Sequence, residues 1–393
     1  MPDPPPDKRR PRPEPVQRVE QPGPPYAELH CKTNFSFLEG ASHADELVRT
    51  AVELGYAALA ITDRNTLAGV VRAHTALKDV TQELGLDPPP LHLIIGAEIV
   101  PQDGLPVVLL ATDRTSYGRL CRLLTVGRRR APKGECLLTC DDIAAHAAGL
   151  LALVQLPAEV RGGRISDPPA LSHPARGNTE ASHEANGSRD ARLLRVRRFA
   201  TLETYHDIFG DRCYALAELH YGPDDRRQLA LFQEQAVAAG VPLVAAGDVH
   251  YHHPDRAVLH DVLTATRHHT TVAEAGPYRF PHAQYHLKSR ETMARLFADA
   301  PEALARTLEV AARCHFSLDE LRYEYPEELC PPGLTPTEHL SHLTWEGARR
   351  RYPAGVPDKV RRLIEHELAL IAELRYEAYF LTVWDLVQFA RSR

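Results

Sequence analysis

Histidine and acidic side chains recur at the C-terminal ends of short apolar segments, where they could bind metal ions. They are His30, Asp63, Glu98, Asp248 and His250. Imidazole nitrogens and carboxylate oxygens are donor atoms that Zn²⁺ and Mn²⁺ use in proteins. A single carboxylate at such a position is better explained as the cap of the next helix. Their recurrence in register favours a metal site, or the remnant of one.

Apolar periodicity predicts that alternating strands and helices hold these residues. Continuous apolar runs at 57–62, 91–100, 107–111 and 149–155 predict buried strands, and amphipathic stripes between the runs predict helices. One helix is predicted to begin at Ser42, with Asp45 completing a capping box. Repeated β-α units with buried strands imply parallel pairing, and their number favours a β/α barrel over an open sheet. The C-terminal strand ends of such a barrel converge on one face.

Composition excludes several classes of protein. The 393 residues are 44% hydrophobic and 25% charged, as is typical of a soluble globular protein with two or three domains. A formal charge of -6 argues against binding nucleic acid through a uniformly basic surface. No apolar run reaches the roughly 18 residues of a membrane helix, and the N-terminus lacks the apolar stretch of a secretory signal. Seven cysteines without a CxxC pair argue against a disulfide framework, so a cytoplasmic location is expected.

The histidine content by itself does not define a site. The chain has 21 histidines and two methionines, which invites a metalloenzyme interpretation. Many of them, however, crowd into 250–269, where we expect most to lie on loop and helix surfaces. The positions of the histidines are therefore more informative than their number.

Two segments are predicted to be disordered, and the chain changes character after the barrel. Residues 1–25 hold ten of the 32 prolines among charged residues, and about 157–192 is a low-complexity insertion. We expect the barrel to span 26–252, followed by a helical connector at 253–335 and further helices at 336–393. The last helical pattern reaches the C-terminus without a stop signal, which indicates a truncated chain.

Several separated motifs resemble a known family. They are AELHCKTNFSFLEGASHADELVRTAVELGYAALAITDRNTLAGVVRAH, IIGAEI, AAGDVHYHHPD and YFLTVWDLVQFARS. Together they resemble the PHP (polymerase and histidinol phosphatase) domain and following segment of bacterial C-family DNA polymerases, the DNA polymerase III alpha-subunit group, and especially its error-prone, translesion branch. The resemblance covers residues 26–393 apart from the insertion, and it implies that 336–393 is the start of the polymerase thumb and palm.

The resemblance implies an incomplete set of metal ligands. Active PHP domains bind metal ions and hydrolyse phosphoesters. His30 matches the first histidine of the HxH motif, Asp63 the aspartate of TDH, and Glu98 a later glutamate, while Asp248 and His250 keep the final DxH. Glu39 could match an early carboxylate. The other ligand positions are occupied as follows: Lys32, Arg64, Pro106 and Leu156.

Lysine and arginine in ligand positions suggest a barrel without metal. Both offer only hydrogen-bond donors and stay positive, so neither can bind a cation. Among Glu39, Asp63, Glu98 and Asp248, Lys32 and Arg64 could instead supply the charge that metals would supply. We therefore expect a degenerate site held by buried ion pairs. No cofactor is expected in this chain, Zn or Mn only if the site is active, and Mg only for the full-length polymerase.

The resemblance implies the N-terminal part of an error-prone polymerase for damage-induced translesion synthesis and DNA repair, with the barrel as a structural platform. The polymerase aspartates are absent from this sequence, so no catalytic residue is assigned. The alternatives are a free-standing metal-dependent phosphoesterase or 3'-5' exonuclease, and a non-catalytic interaction module. Implied partners are DNA, deoxynucleotides, damage-tolerance accessory proteins and the sliding clamp, with no membrane. The candidate DNA-contacting residues are Arg349, Arg350, Arg351, Lys359, Arg361 and Arg362. The sequence alone favours solvated helix faces for them, and the resemblance favours DNA contact.

Overall fold

The computed structural model describes Val16 and residues 22–157, 199–321 and 330–393. Most of the predicted tail and nearly all of the predicted insertion lie outside these residues. Val16 is buried, and its amide donates a hydrogen bond to Glu83 Oε1 at 2.8 Å. The chain divides into two compact units, residues 1–320 and 321–393.

A seven-stranded sheet forms the centre of the first unit within the described residues. Its strands are β1 (Ala27–Glu28), β2 (Ala58–Ile61), β3 (His92–Ile99), β4 (Val107–Ala111), β5 (Leu150–Gln155), β6 (Cys213–Glu218) and β7 (Leu243–Ala246). Their order in the sheet follows the chain. After β7, Val249 N donates to His30 O at 2.9 Å, and Lys32 N donates to Val249 O at 2.8 Å. These bonds lie just beyond the ends of β1 and β7 and join the two edges of the sheet, so the sheet forms a nearly closed barrel, as predicted.

One strand departs from the predicted parallel arrangement. β4 runs antiparallel to both β3 and β5, while the other neighbouring pairs are parallel. Only residues 100–106 connect β3 to β4. A parallel crossover needs about a dozen residues or more, so this short connection can only reverse the chain. The expectation of parallel strands throughout was therefore wrong for β4.

The strands are apolar on both faces, because both faces are covered. In β2, Ala58 and Ala60 belong to one buried cluster, while Leu59 and Ile61 belong to another. The cluster with Ala58 and Ala60 also contains Val310, from the helix Pro301–Arg313. The first unit therefore extends past the predicted barrel end at residue 252 and includes that helix.

Twelve α-helices occur in the described residues. They are α1 (Ala44–Glu53), α2 (Val70–Leu84), α3 (Arg114–Arg130), α4 (Cys140–His146), α5 (Leu202–Phe209), α6 (Asp225–Ala238), α7 (Ala257–Arg267), α8 (Arg290–Leu296), α9 (Pro301–Arg313), α10 (Pro336–Arg351), α11 (Asp358–Leu374) and α12 (Glu377–Ser392). Among these, no helix has the length and apolarity needed to cross a bilayer.

The start of α1 differs from the prediction. Its N-cap is His43, whose amide donates to Glu46 Oε2 at 2.8 Å. Ser42 Oγ instead accepts a hydrogen bond from His252 N at 2.9 Å and lies 2.8 Å from His252 Nδ1. The predicted capping box of Ser42 and Asp45 was wrong by one residue, because the segment after β7 engages the Ser42 hydroxyl.

Candidate functional site

The barrel gathers the predicted residues at the C-terminal ends of its parallel strands. His30 and Lys32 follow β1, Arg64 follows β2, and Glu98 is the next-to-last residue of β3. Asp248 and His250 follow β7. The reversed strand β4 enters at the same end, since Val107 pairs with Ile99.

Lys32 is the centre of the charged network. Its side chain is only 2% exposed, and Nζ donates to Asp248 Oδ1 at 2.6 Å. The same ammonium group lies 3.6 Å from Glu98 Oε2 and 3.5 Å from His250 Nε2. A lysine with three rotatable donors can serve several acceptors at once. Lys32 thus joins the segment after β1 to β3 and to the segment after β7.

Arg64 extends this network to the rim of the barrel. Its Nε donates to Glu98 Oε2 at 2.9 Å, and its Nη1 donates to Glu39 Oε1 at 2.7 Å. Arg267, the last residue of α7, also approaches Glu39 Oε1, at 3.0 Å. Two guanidinium groups therefore share one carboxylate oxygen at the mouth.

Two residues of the site, Glu218 and Gln155, were not predicted from the sequence. Glu218 Oε1 lies 2.5 Å from His30 Nδ1, and Gln155 Nε2 donates to Glu98 Oε1 at 3.2 Å. Each is the last residue of its strand, β6 or β5, and a strand was predicted over 149–155. The signal was thus the same strand-end position that identified the other ligands. Leu156, which aligned with a ligand position, packs against the apolar core instead.

Asp63 does not face the other carboxylates. Its Oδ1 accepts hydrogen bonds from Thr33 N at 2.7 Å and from Ser36 Oγ at 2.7 Å, and its Oδ2 accepts one from Thr33 Oγ1 at 2.8 Å. These partners all lie in the loop after β1. The carboxylate therefore anchors that loop to the end of β2.

One group of three donors meets the spacing of a metal site. A ligand atom from each of His30, Glu218 and Asp248 lies within 4.8 Å of the others. The Asp248 oxygen that lies 3.5 Å from His30 Nδ1 is the one that accepts the hydrogen bond from Lys32. A positive charge is thus already present beside this group.

Mutual attraction outweighs desolvation for Lys32, Asp248 and Glu98, but not for Glu218. Burial raises the pKa of Asp248 and of Glu98, but Lys32 lowers the first, and Arg64 with Lys32 lowers the second, so both pKa values lie well below their usual range. Burial lowers the pKa of Lys32, yet Asp248 and Glu98 raise it overall. Burial raises the pKa of Glu218 above its ordinary value. At neutral pH the Lys32, Asp248 and Glu98 side chains are therefore charged.

The predicted DNA-contacting residues lie in the second unit. Arg349, Arg350 and Arg351 form the last turn of α10, and Lys359, Arg361 and Arg362 lie in the first turns of α11. All six are exposed. Arg350 pairs with Glu346, and the Arg361 guanidinium lies 5.8 Å from the centre of the Trp345 ring. They form two neighbouring basic segments rather than a closed site.

Both units contain a segment that matches a known protein family. Residues 28–214 match the PHP domain, and residues 338–393 match the family described as the bacterial DNA polymerase III alpha NTPase domain. Among solved structures, a candidate metal-dependent phosphoesterase from Bifidobacterium adolescentis is 16% identical, covering 59% of this chain and 89% of that one. Its TM-score is 0.36.

Longer relatives align with most of this chain. The error-prone DNA polymerase of Rhodopirellula baltica is 49% identical over 94% of this chain and 29% of its own length. That of Aromatoleum aromaticum is 49% identical, again over 94% of this chain and 31% of the relative. The chain thus spans less than a third of these relatives. Its residues 28–214 match the PHP domain, its residues 338–393 match the bacterial DNA polymerase III alpha family, and the chain is homologous along almost its whole length to proteins named error-prone DNA polymerases.

Proposed function

We propose that the chain acts as the N-terminal part of a cytoplasmic, error-prone DNA polymerase in translesion synthesis and DNA repair, and that its barrel is a structural platform. The observation that carries the second part is the position of Lys32. Its buried ammonium group bridges Asp248 and Glu98, two of the carboxylates that the PHP pattern would assign to metal. In the full-length protein, DNA and deoxynucleotides are the substrates. The sliding clamp and damage-tolerance proteins are candidate partners.

The residues present fit a bound metal poorly. A cation held by His30, Glu218 and Asp248 would sit beside the Lys32 ammonium group, which shares an oxygen of Asp248. Like charges at such short range repel strongly where little water is present. Glu98 is engaged by both Lys32 and Arg64. The platform is therefore held by protein cations, and no chemical step is assigned to it.

Metal analysis of the 393-residue chain tests this assignment. After dialysis against buffer without chelator, elemental analysis should find Zn and Mn far below one equivalent. Neither EDTA nor added Mn²⁺ should shift the melting temperature, because a ligand stabilises only the state that binds it. Stoichiometric metal that survives dialysis, or a lower melting temperature in EDTA, would contradict the proposal.

The variant Lys32→His serves as the matched control. It replaces the buried ammonium group with an imidazole donor next to His30, Asp248 and His250, so we expect it to gain stabilisation by Mn²⁺ or Zn²⁺. A gain in the variant combined with no response in the original chain would identify Lys32 as the group that excludes the metal.

A metal-dependent phosphoesterase or exonuclease remains the second candidate, because His30, Glu218 and Asp248 do lie within ligand distance of one another. Hydrolysis of a model phosphodiester and of a 3'-labelled oligonucleotide in Mn²⁺ distinguishes the two. The platform proposal expects no turnover above that of the Asp248→Asn variant. Turnover that Asp248→Asn abolishes would favour the enzyme.

A further inference from the structure

We propose that the barrel rim beside the β2–α2 loop binds single-stranded DNA. The rim is defined by six exposed or half-buried side chains: Phe35, Phe37, Arg72, Arg122, Arg128 and Arg129. The proposal rests on the proposed function, since a polymerase must handle an unpaired template strand. It adds a DNA contact on the first unit, separate from the basic segments of α10 and α11.

Hydrogen bonds join three parts of the rim into one surface. The loop after β1, which carries Phe35 and Phe37, is bound to Asp63, and Ser36 Oγ accepts from Arg64 N at 3.0 Å. On the other side, Arg128 at the end of α3 donates from Nη2 to Asn65 O at 2.9 Å. The β2–α2 loop thus lies between the two aromatic residues and the arginines of α3.

Phe37 provides an unusual aromatic surface. It is 81% exposed, and the residue after it, Leu38, has a φ of +60°, a backbone conformation that non-glycine residues rarely adopt. Nearby, Arg72 lies 5.9 Å from the centre of the Phe35 ring. Exposed aromatic rings stack on unpaired bases without regard to sequence, and adjacent arginines bind the phosphates.

A shallow cavity of about 360 Å³ lies between the β2–α2 loop and α3, on the arginine side of this surface. Leu67, Ala68 and Leu124 supply apolar walls, and Arg128 and Arg129 lie at its edge. Its lining also includes Asn65, whose buried Oδ1 has no hydrogen-bond partner among the described residues. Apolar walls with arginines beside them suit an unpaired base and its phosphate.

The charge of the rim complements a nucleic acid strand. The neighbouring carboxylates are already engaged: Glu39 by Arg64 and Arg267, and Asp63 by hydroxyl and amide donors. Arg122 lies two turns before Arg129, on the same side of α3. Lys133 and Glu135, in the loop after α3, offset each other in charge. The rim is thus locally positive in a chain whose formal charge is -6.

Binding of a fluorescent oligo-dT to the whole 393-residue chain, measured by anisotropy at several NaCl concentrations, tests the proposal. Phe37→Ala should weaken binding about 5-fold or more with little change in salt dependence, because it removes stacking. Phe37→Trp should preserve binding. Arg129→Gln should reduce the slope of log affinity against log salt by about 0.7, the value for one phosphate contact to a single strand.

Two variants elsewhere on the first unit are matched controls. Val237→Ala removes an apolar side chain that is 82% exposed, and Arg226→Gln removes a guanidinium whose side chain is 89% exposed. Both should bind like the original chain. Melting temperatures of all variants should agree, since the mutated side chains lie on the surface.

Four results would overturn the proposal. The first two are no binding by the original chain and equal binding of duplex DNA. The others are original affinity and salt dependence in both Phe37→Ala and Arg129→Gln, and loss of binding through variants of Arg349 to Arg351 alone. The platform assignment would then stand, because its test is metal content.

Discussion

At the scale of single residues, the chemistry of the site depends on one cation, the ammonium group of Lys32. Lys32 carries a charge in a place where burial disfavours charge, and it is retained there by Asp248 and Glu98. Buried ion pairs are not in general strongly stabilising, but removing one partner leaves the other charge buried and unpaired. Lys32 therefore matters mainly because its loss would leave the buried charge of Asp248 without its lysine partner.

Replacing Lys32 by methionine should destabilise the barrel by about 3–5 kcal/mol, as expected when one member of a buried ion pair is removed. Urea denaturation at pH 7 measures this. Lys78→Met is the control: Lys78 is 59% exposed and pairs with Asp319, so its loss should cost about 1 kcal/mol or less. Equal effects of the two variants would contradict the central position of Lys32.

The same variant should change how stability depends on pH. The pKa values of Glu98 and Asp248 are lowered in the folded protein, so their contribution is present above their unfolded values, about 4, and is lost as the pH falls through the folded values. The original chain should thus lose more stability between pH 5 and 3 than Lys32→Met does. Parallel pH profiles would show that Lys32 does not set these pKa values.

At the scale of elements, the strand ends position the site and the helix α3 positions the rim. The continuous apolar runs predicted where strands occur, because strands covered on both faces are apolar throughout. Those runs did not predict the direction of each strand relative to its neighbours, and the short 100–106 connection reverses β4. Likewise, the start of α1 depends on which residue the segment after β7 engages.

The N-terminus of α3 gives a test at this scale. Asp113 Oδ1 accepts a hydrogen bond from Ser116 N at 2.7 Å, which holds the pKa of Asp113 below its ordinary value. Asp113→Ala should cost about 1 kcal/mol, whereas Asp113→Asn, which can still cap, should cost much less. Chemical denaturation compares them. If the two variants lose the same stability, the charge of Asp113 matters rather than its capping bond.

At the scale of the whole molecule, the two units differ in how much they bury. Every residue of β4 is buried, as are most residues of the other strands. In the second unit, α11 has no buried residue, α10 has Leu340 and Ala348, and α12 has Leu381. Local stability follows burial, so the second unit should be the less stable part of this chain.

Hydrogen exchange followed by mass spectrometry measures this difference. Amides of α11 should exchange many times faster than those of β4, because opening the barrel requires exposing its apolar core. Peptides from α3, a helix packed on the barrel, provide the comparison for a covered helix. Equal protection of α11 and β4 would contradict the inference that burial limits the stability of the second unit.

The sequence by itself determined the barrel class, the positions of most strands and helices, and the residues at the strand ends. These follow from local patterns: apolar runs, helical stripes, and polar residues where runs stop. Only the tertiary structure decided that Asp63 turns toward the loop after β1, that Glu218 and Gln155 join the site, and that Lys32 lies between Asp248 and Glu98. These are distances between residues far apart in the chain, and a one-dimensional pattern does not contain them.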